Sequence, residues 1–244
     1  MKRTFDLHTH ILYGVDDGAR TMRESLALLE EASEQGVTDI VLTPHYRKGM
    51  FAYPTEDILK HFLLLKKAAR PLALSLYLGC EYHVDETMVE YLRKNRCFPL
   101  NLGDHVLAEY KSLTEYDFIR YSTQELLQSG YIPVIAHVER YECLMADPDR
   151  AAELAELGAL IQINADSVLG LAGRQGKKFC HGLLKNGWVD VIASDVHNQT
   201  DRANHLMECR RYVEKKYGKA YAVDLFEQNA RHILHIDTKE NGGE

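Results

Sequence analysis

Seven short apolar runs punctuate this chain, amphipathic stretches fill the intervals between them, and six of the seven runs carry histidine or an acid at or next to their last residue. The runs fall at residues 4–10, 39–45, 73–81, 105–110, 132–139, 160–165 and 190–197. Helical periodicity occupies 21–35, 55–70, 84–94, 115–129, 149–157 and 173–185, and two further helices are predicted at 201–216 and 219–229. Strands that alternate with helices pair in parallel, with the helices packed outside. The unbroken apolar character of IPVIA and DVIAS suits strands buried on both faces. The expectation is an α/β fold, a β/α barrel built as a single domain over residues 1–238. A length of 244 residues fits one such barrel of roughly 200–250 residues. Residues 239–244 read as a disordered tail.

In a parallel barrel the functional side chains gather at the C-terminal ends of the strands. Here those ends carry His8-x-His10, His45, Glu81, Glu109, His137 and Asp195-x-His197. Strand side chains alternate with period two, so each x-spaced pair is aimed to one side. A buried ring of five histidines and three carboxylates is costly alone, because buried charges need partners. Bound cations supply that partner to carboxylate and neutral imidazole alike. The loop ILYGVDDGAR adds Asp16 and Asp17, either of which is placed to join the set. No cysteine belongs to the pattern, which disfavours a structural zinc site, and the imidazole–carboxylate mixture suits Mn²⁺, Fe²⁺ or Zn²⁺. So many ligands imply two or three ions. Ions about 3.5–4 Å apart clamp phosphoryl oxygens and lower the pKa of water to near 7. Arg140 and Arg202 follow two of the ligands and offer planar forks for a phosphate.

Other chemistries lack their motifs. No cysteine has an arginine six positions on, and there is no phosphate-binding GxxxxGK, GxGxxG, GxSxG or HExxH. A net charge of -7 argues against an ordinary basic nucleic-acid surface. Five cysteines without a Cys-x-x-Cys pair fit a reducing compartment. The start MKRTFDLHTH does not read as a signal peptide, and no run approaches the ~18 apolar residues of a membrane span. A cytoplasmic location without membrane insertion is expected.

The segments DLHTHILYGVDDGA, TPHYRKGMF, GCEY, LAEY, VIAHVERY and IASDVHN resemble the PHP (polymerase and histidinol phosphatase) superfamily. Within it they resemble the bacterial manganese-dependent protein-tyrosine phosphatases of capsule and exopolysaccharide loci, over residues 5–229. The HxH start belongs to the superfamily; DDGA, RKGMF and HVERY are specific to the phosphatase branch. The resemblance implies a distorted seven-stranded, TIM-like barrel. It implies that His8, His10, Glu81 and Asp195 hold one metal, that Glu81, Glu109 and His137 hold a second, and that Asp17, His45 and His197 hold a third. Arg140 and Arg202 would grip phosphate, and the substrate would be the autophosphorylated tail of a tyrosine kinase that regulates polysaccharide export. Hydrolysis would be direct, through a metal-bridged hydroxide, with no cysteine nucleophile and no dedicated general acid. The segment after Arg202 reads ANHLM, where the resemblance leads one to expect a proline-containing stretch. His83 shares the parity of Glu81 and is placed behind the ligands, the loop 46–53 is read as lining the entrance, and His61, His105, His181, His232 and His235 are read as structural. The alternatives are a PHP phosphatase for a small phosphomonoester such as histidinol phosphate, a nuclease of the same fold, or a silent binding module.

Overall fold

The structure is a computed structural model that describes residues 3–236; residues 239–244, read above as a tail, lie outside the described residues. Among the described residues there are nine short strands: β1 (Phe5–Thr9), β2 (Asp39–Leu42), β3 (His45–Tyr46), β4 (Ser75–Leu78), β5 (Glu81–His83), β6 (His105–Glu109), β7 (Ile132–Ile135), β8 (Leu160–Asn164) and β9 (Val191–Ala193). All their pairings are parallel. They form a three-stranded sheet, β1-β2-β4, and a six-stranded sheet, β3-β5-β6-β7-β8-β9, that curls as a half-barrel. Past β9 the chain returns to β1: Asp195 N donates to His8 O and His10 N to Val196 O, both at 2.9 Å.

Two of the predicted runs are broken in the structure. Residues 39–45 split into β2 and β3 at Thr43-Pro44, where proline has no N–H to give a ladder. Residues 73–81 split into β4 and β5 at Gly79-Cys80. A Cβ on Gly79 would lie 2.7 Å from Leu100 Cδ2, so the bend is tight enough to require glycine. Each break makes a metal-type residue the first of a new strand, and His45 pairs directly with Glu81 in the β3–β5 register.

The helices cover the outer face. α1 (Met22–Gln35) starts at Thr21, whose side chain accepts from Glu24 N, and ends at Gly36 in the left-handed region. It buries Leu28, Leu29 and Ala32. α2 (Thr55–Ala68) and α4 (Tyr116–Gln128) lie close to the predicted bounds, whereas α3 (Met88–Arg93) is shorter than residues 84–94. Between β7 and β8, α5 (Glu142–Ala146) precedes α6 (Asp149–Leu157). α7 (Ala165–Leu169) precedes α8 (Arg174–Asn186), and α9 (Leu206–Tyr217) begins later than residue 201. The last stretch runs through Lys219–Val223, a π-helical turn at Asp224–Gln228, and Asn229–Ile233. Its Ile233 and Leu234 pack with Leu7, Leu107, Val134 and Val191 from four strands. Asn229 Nδ2 donates to Asp190 O ahead of β9, and Asn101 Nδ2 to Leu234 O, so this stretch closes the strands' N-terminal ends. The opposite ends are left for polar side chains.

Candidate metal centre

At those C-terminal ends all nine metal-type residues named from the sequence fall into four overlapping groups whose ligand atoms lie within 4.8 Å of one another. The groups are His8–His10–Asp195, His8–Glu81–His137, His45–Glu81–Glu109, and His10–Asp17–His45–His197. His8, His10 and Glu81 are fully buried, and His137, Asp195 and His197 nearly so. The grouping differs from that implied by the resemblance: His137 falls with His8 and Glu81, Glu109 falls with His45 and Glu81, and His10 joins the Asp17 group. His45 faces both ways, with Nδ1 2.9 Å from Glu81 Oε2 and Nε2 3.5 Å from Asp17 Oδ1.

Neighbours set which nitrogen each imidazole presents. His8 donates Nδ1–H to Gln162 Oε1 at 3.1 Å, and His10 donates Nδ1–H to Asp16 Oδ2 at 2.7 Å. Their Nε2 atoms face each other at 3.1 Å. His197 donates Nδ1–H to Asp195 O at 2.9 Å, which leaves Nε2 buried without a hydrogen-bond partner. Glu81 Oε2 lies 3.2 Å from His8 Nε2, 3.2 Å from His10 Nε2 and 2.9 Å from His45 Nδ1, yet none of these approaches is aligned as a hydrogen bond. Lone pairs that converge on one point without bonding one another fit a shared cation.

The electrostatics agree. Burial pulls the His8 and His10 imidazoles down, but Glu81 and Asp195 around His8, and Asp16 with Asp195 and Glu81 around His10, raise both above the usual histidine range. Burial pushes Glu81 and Asp195 up, and the surrounding imidazoles, joined by Arg140 at Asp195, hold both carboxyls well below their usual range. The nearby imidazoles, His197 first with Nε2 3.4 Å from Asp17 Oδ1, hold the Asp17 carboxyl down as well. Without ions, protons on imidazoles balance the carboxylates. Burial and the adjacent His10 lower His197 to about 4, so it is neutral at pH 7.

Two ligands sit on unusual backbone. His137 (φ 32°) and Asp195 (φ 57°) adopt the left-handed region, which costs of order 1–3 kcal/mol for such residues and persists only where surroundings hold it. Gln162 Oε1 accepts from His137 N at 3.0 Å, Gln162 Nε2 donates to Asn164 Oδ1, and Asn164 Nδ2 donates to Asp195 Oδ2 at 3.0 Å. Tyr141 OH donates to Ala136 O and lies 3.4 Å from His137 Nδ1. Sequence reasoning missed Gln162 and Asn164. Their signal was two polar side chains of the same parity in the otherwise apolar strand LIQIN. The residues alone left Asp16 and Asp17 undivided, and the resemblance chose Asp17: Asp17 joins the cluster, and Asp16 orients His10 while accepting from Gly18 N and His45 N. His83 Nδ1 lies 3.1 Å from Glu109 Oε2.

Both arginines reach Asp195, Arg140 Nη2 at 2.6 Å and Arg202 Nη2 at 3.0 Å. They line a cavity of about 850 Å³ with Asn164, Asp166, Ser194 and His205. His205 Nδ1 is 2.8 Å from Asp166 Oδ1. The loop 46–53 is not among the residues lining this cavity. Arg47 pairs with Phe51 across a tight turn, and the Phe51 ring stacks on His45 at 5.6 Å. His61 and His181, read as structural, bond Tyr13 O and the Tyr217 hydroxyl.

A parallel α/β half-barrel with a dense buried cluster of imidazoles and carboxylates, and two arginines on an adjoining cavity, defines a metal-dependent hydrolase. The chain belongs to the family described as capsular polysaccharide synthesis, CpsB/CapC, which it matches over residues 4–235. It is 37% identical to the tyrosine-protein phosphatase CpsB of Streptococcus pneumoniae over 236 residues, covering 94% of this chain and 97% of that protein. It is 31% identical to the tyrosine-protein phosphatase YwqE of Bacillus subtilis over 239 residues, covering 96% and 92%. Among solved structures it superposes with TM-score 0.89 and 29% identity, over 96% of this chain and 95% of the other, on a member of the pair YwqE from Bacillus subtilis and CpsB from Streptococcus pneumoniae, described as unique metal-dependent tyrosine phosphatases. A histidinol phosphate phosphatase from Lactococcus lactis, complexed with zinc, L-histidinol and phosphate, shares the fold at TM-score 0.58 and 18% identity, over 88% of this chain and 94% of the other.

Among the described residues no helix is long and apolar enough to cross a membrane.

Proposed function

We propose that this chain is a metal-dependent protein-tyrosine phosphatase that acts in the cytoplasm on the autophosphorylated tail of a tyrosine kinase regulating capsular or exopolysaccharide synthesis. Its domain is a single distorted barrel over residues 1–238, seven-stranded when β2 with β3, and β4 with β5, are each taken as one kinked strand. The observation that carries the reading is the convergence on Glu81 Oε2, a fully buried oxygen with three imidazole nitrogens within 3.2 Å and no hydrogen bond. His8, His10, Asp17, His45, Glu81, Glu109, His137, Asp195 and His197 would hold two or three divalent ions, with Mn²⁺ preferred and Fe²⁺ or Zn²⁺ compatible with the donor set.

When bound, the ions supply positive charge for phosphoryl oxygens and lower the pKa of water enough for attack at neutral pH. Arg140 and Arg202 exchange their hold on Asp195 for the non-bridging oxygens of the substrate and stabilise charge that develops there. Gln162 and Asn164 fix the backbone of His137 and the carboxylate of Asp195 while this exchange takes place. The cavity beside the arginines lies within the roughly 300–1,000 Å³ of small-ligand sites and admits a phosphotyrosyl side chain. A tyrosinate leaving group, with a pKa of about 10, needs less proton donation than an alkoxide. The cysteines take no part: all five are free, and Cys80, Cys97, Cys180 and Cys209 are buried.

The test is a side-by-side comparison of kcat/KM for a phosphotyrosyl peptide and for histidinol phosphate in manganese-loaded protein. The reading expects a strong preference for the peptide. A preference for histidinol phosphate would replace it with a small-phosphomonoester phosphatase.

A further inference from the structure

A second group of metal-type side chains lies at the other end of the strands. Asp104, His105 and His235 place ligand atoms within 4.8 Å of one another. His235 Nε2 is 2.7 Å from Asp104 Oδ1, and His105 Nδ1 is 2.8 Å from the same oxygen. The second approach is not a hydrogen bond: His105 Nδ1 is buried and unpartnered, in a residue only 1% exposed. An aimed, orphaned donor atom is the feature that marks the main cluster as well. The surroundings hold the group in place. Asn101 Nδ2 bonds Leu234 O at 2.8 Å, and a Cβ on Gly103 would lie 2.8 Å from His235 Cδ2, so the absent side chain makes room for the ring. The His232 ring also sits against His105, at 5.8 Å between centroids.

We propose that Asp104, His105 and His235 form a separate binding site for one zinc-type divalent cation that ties the chain's last helix to the start of β6. Two imidazoles and one carboxylate, with water to complete a tetrahedron, suit Zn²⁺ or a similar borderline ion in preference to Ca²⁺ or Mg²⁺. Ligand atoms about 2.0–2.1 Å from a tetrahedral ion stand about 3.4 Å apart, so Asp104 must withdraw slightly. Its side chain is 44% exposed and free to do so. The strand N-termini are the stability face of a barrel, and the ion's role there is to pin, not to catalyse. This inference does not depend on the phosphatase reading.

The experiment is equilibrium dialysis of manganese-saturated protein against zinc, with total ions per chain counted by mass spectrometry. The wild type is expected to hold one more ion than His235→Ala, whose side chain is half-exposed and whose loss leaves the fold intact. Asp104→Asn serves as an independent second variant. Both variants are expected to keep phosphotyrosyl hydrolysis and to lose a zinc-dependent rise in thermal midpoint seen in the wild type. Equal ion counts in wild type and both variants, or an equal zinc-dependent rise in all three, would overturn the site.

Discussion

Strand β6 carries a metal-type residue at each end, His105 at its first position and Glu109 at its last, and the two belong to very different clusters. Around Glu109, nine metal-type side chains from both sheets and their loops converge. A further layer, Gln162, Asn164, Asp16, Tyr141 and His83, fixes ring orientation and backbone. Two ligands there, His137 and Asp195, hold left-handed backbone. Around His105 three metal-type side chains meet, the carboxylate is half-exposed, and among the described residues no arginine is paired with Asp104. The contrast shows that depth of support, more than the presence of imidazoles, separates a site built for turnover from one able to pin a helix. Strain is retained only where neighbours hold it in place, and the second cluster carries it too, at His235 (φ 52°).

That contrast can be broken at several levels. His137→Ala removes a ligand that only the main cluster uses, and phosphotyrosyl hydrolysis is expected to fall to background with reduced manganese content; full activity would remove His137 from the centre. Arg140→Ala is expected to lower kcat/KM by about 10²-fold, as for loss of one transition-state charge partner, with metal content unchanged. Metal loss in that variant would make Arg140 a support for the ligands and not a phosphate grip. Gln162→Leu tests the supporting layer, with metal affinity expected to weaken by about 10–100-fold; an unchanged titration would show that the layer is dispensable.

The raised pKa values of metal-free His8 and His10 give the sign of the pH effect. Both imidazoles must lose a proton to bind an ion, so affinity rises with pH through their raised range and levels off above it. Below that range it falls about tenfold per pH unit for each proton displaced. Calorimetry in buffers of different ionisation enthalpy is expected to show net proton release on manganese uptake, and zero release would contradict the protonation pattern. The smallest effect is expected from His235→Ala, which should leave kcat/KM within error of the wild type.

The sequence made the ligands legible because strand ends and period-two spacing are local properties. His8-x-His10 and Asp195-x-His197 need no knowledge of the tertiary fold. The breaks at Thr43-Pro44 and Gly79-Cys80 were not legible as breaks, since the apolar runs continue through them and the bend at Gly79 depends on Leu100 packed against it. The left-handed backbone of His137 and Asp195 is imposed by contacts from distant strands, which no local propensity encodes. Asp16 and Asp17 are adjacent and chemically identical, and only the turn that gives Asp16 the His45 and Gly18 amides separates their roles. The strand LIQIN was read as apolar, and the partners that give Gln162 its function lie on β1 and just beyond β7. Asp104 and His235 are 131 residues apart, beyond any spacing argument.

The central claim is that nine converging side chains exist to hold ions that drive phosphotyrosine hydrolysis. It is tested most directly by stripping the protein with a chelator, then adding manganese back in steps while ions per chain and turnover of a phosphotyrosyl peptide are recorded together. The account predicts no turnover in the stripped protein and recovery that follows filling of the cluster to two or three ions. Turnover that persists without metal, or full occupancy without turnover, would contradict it.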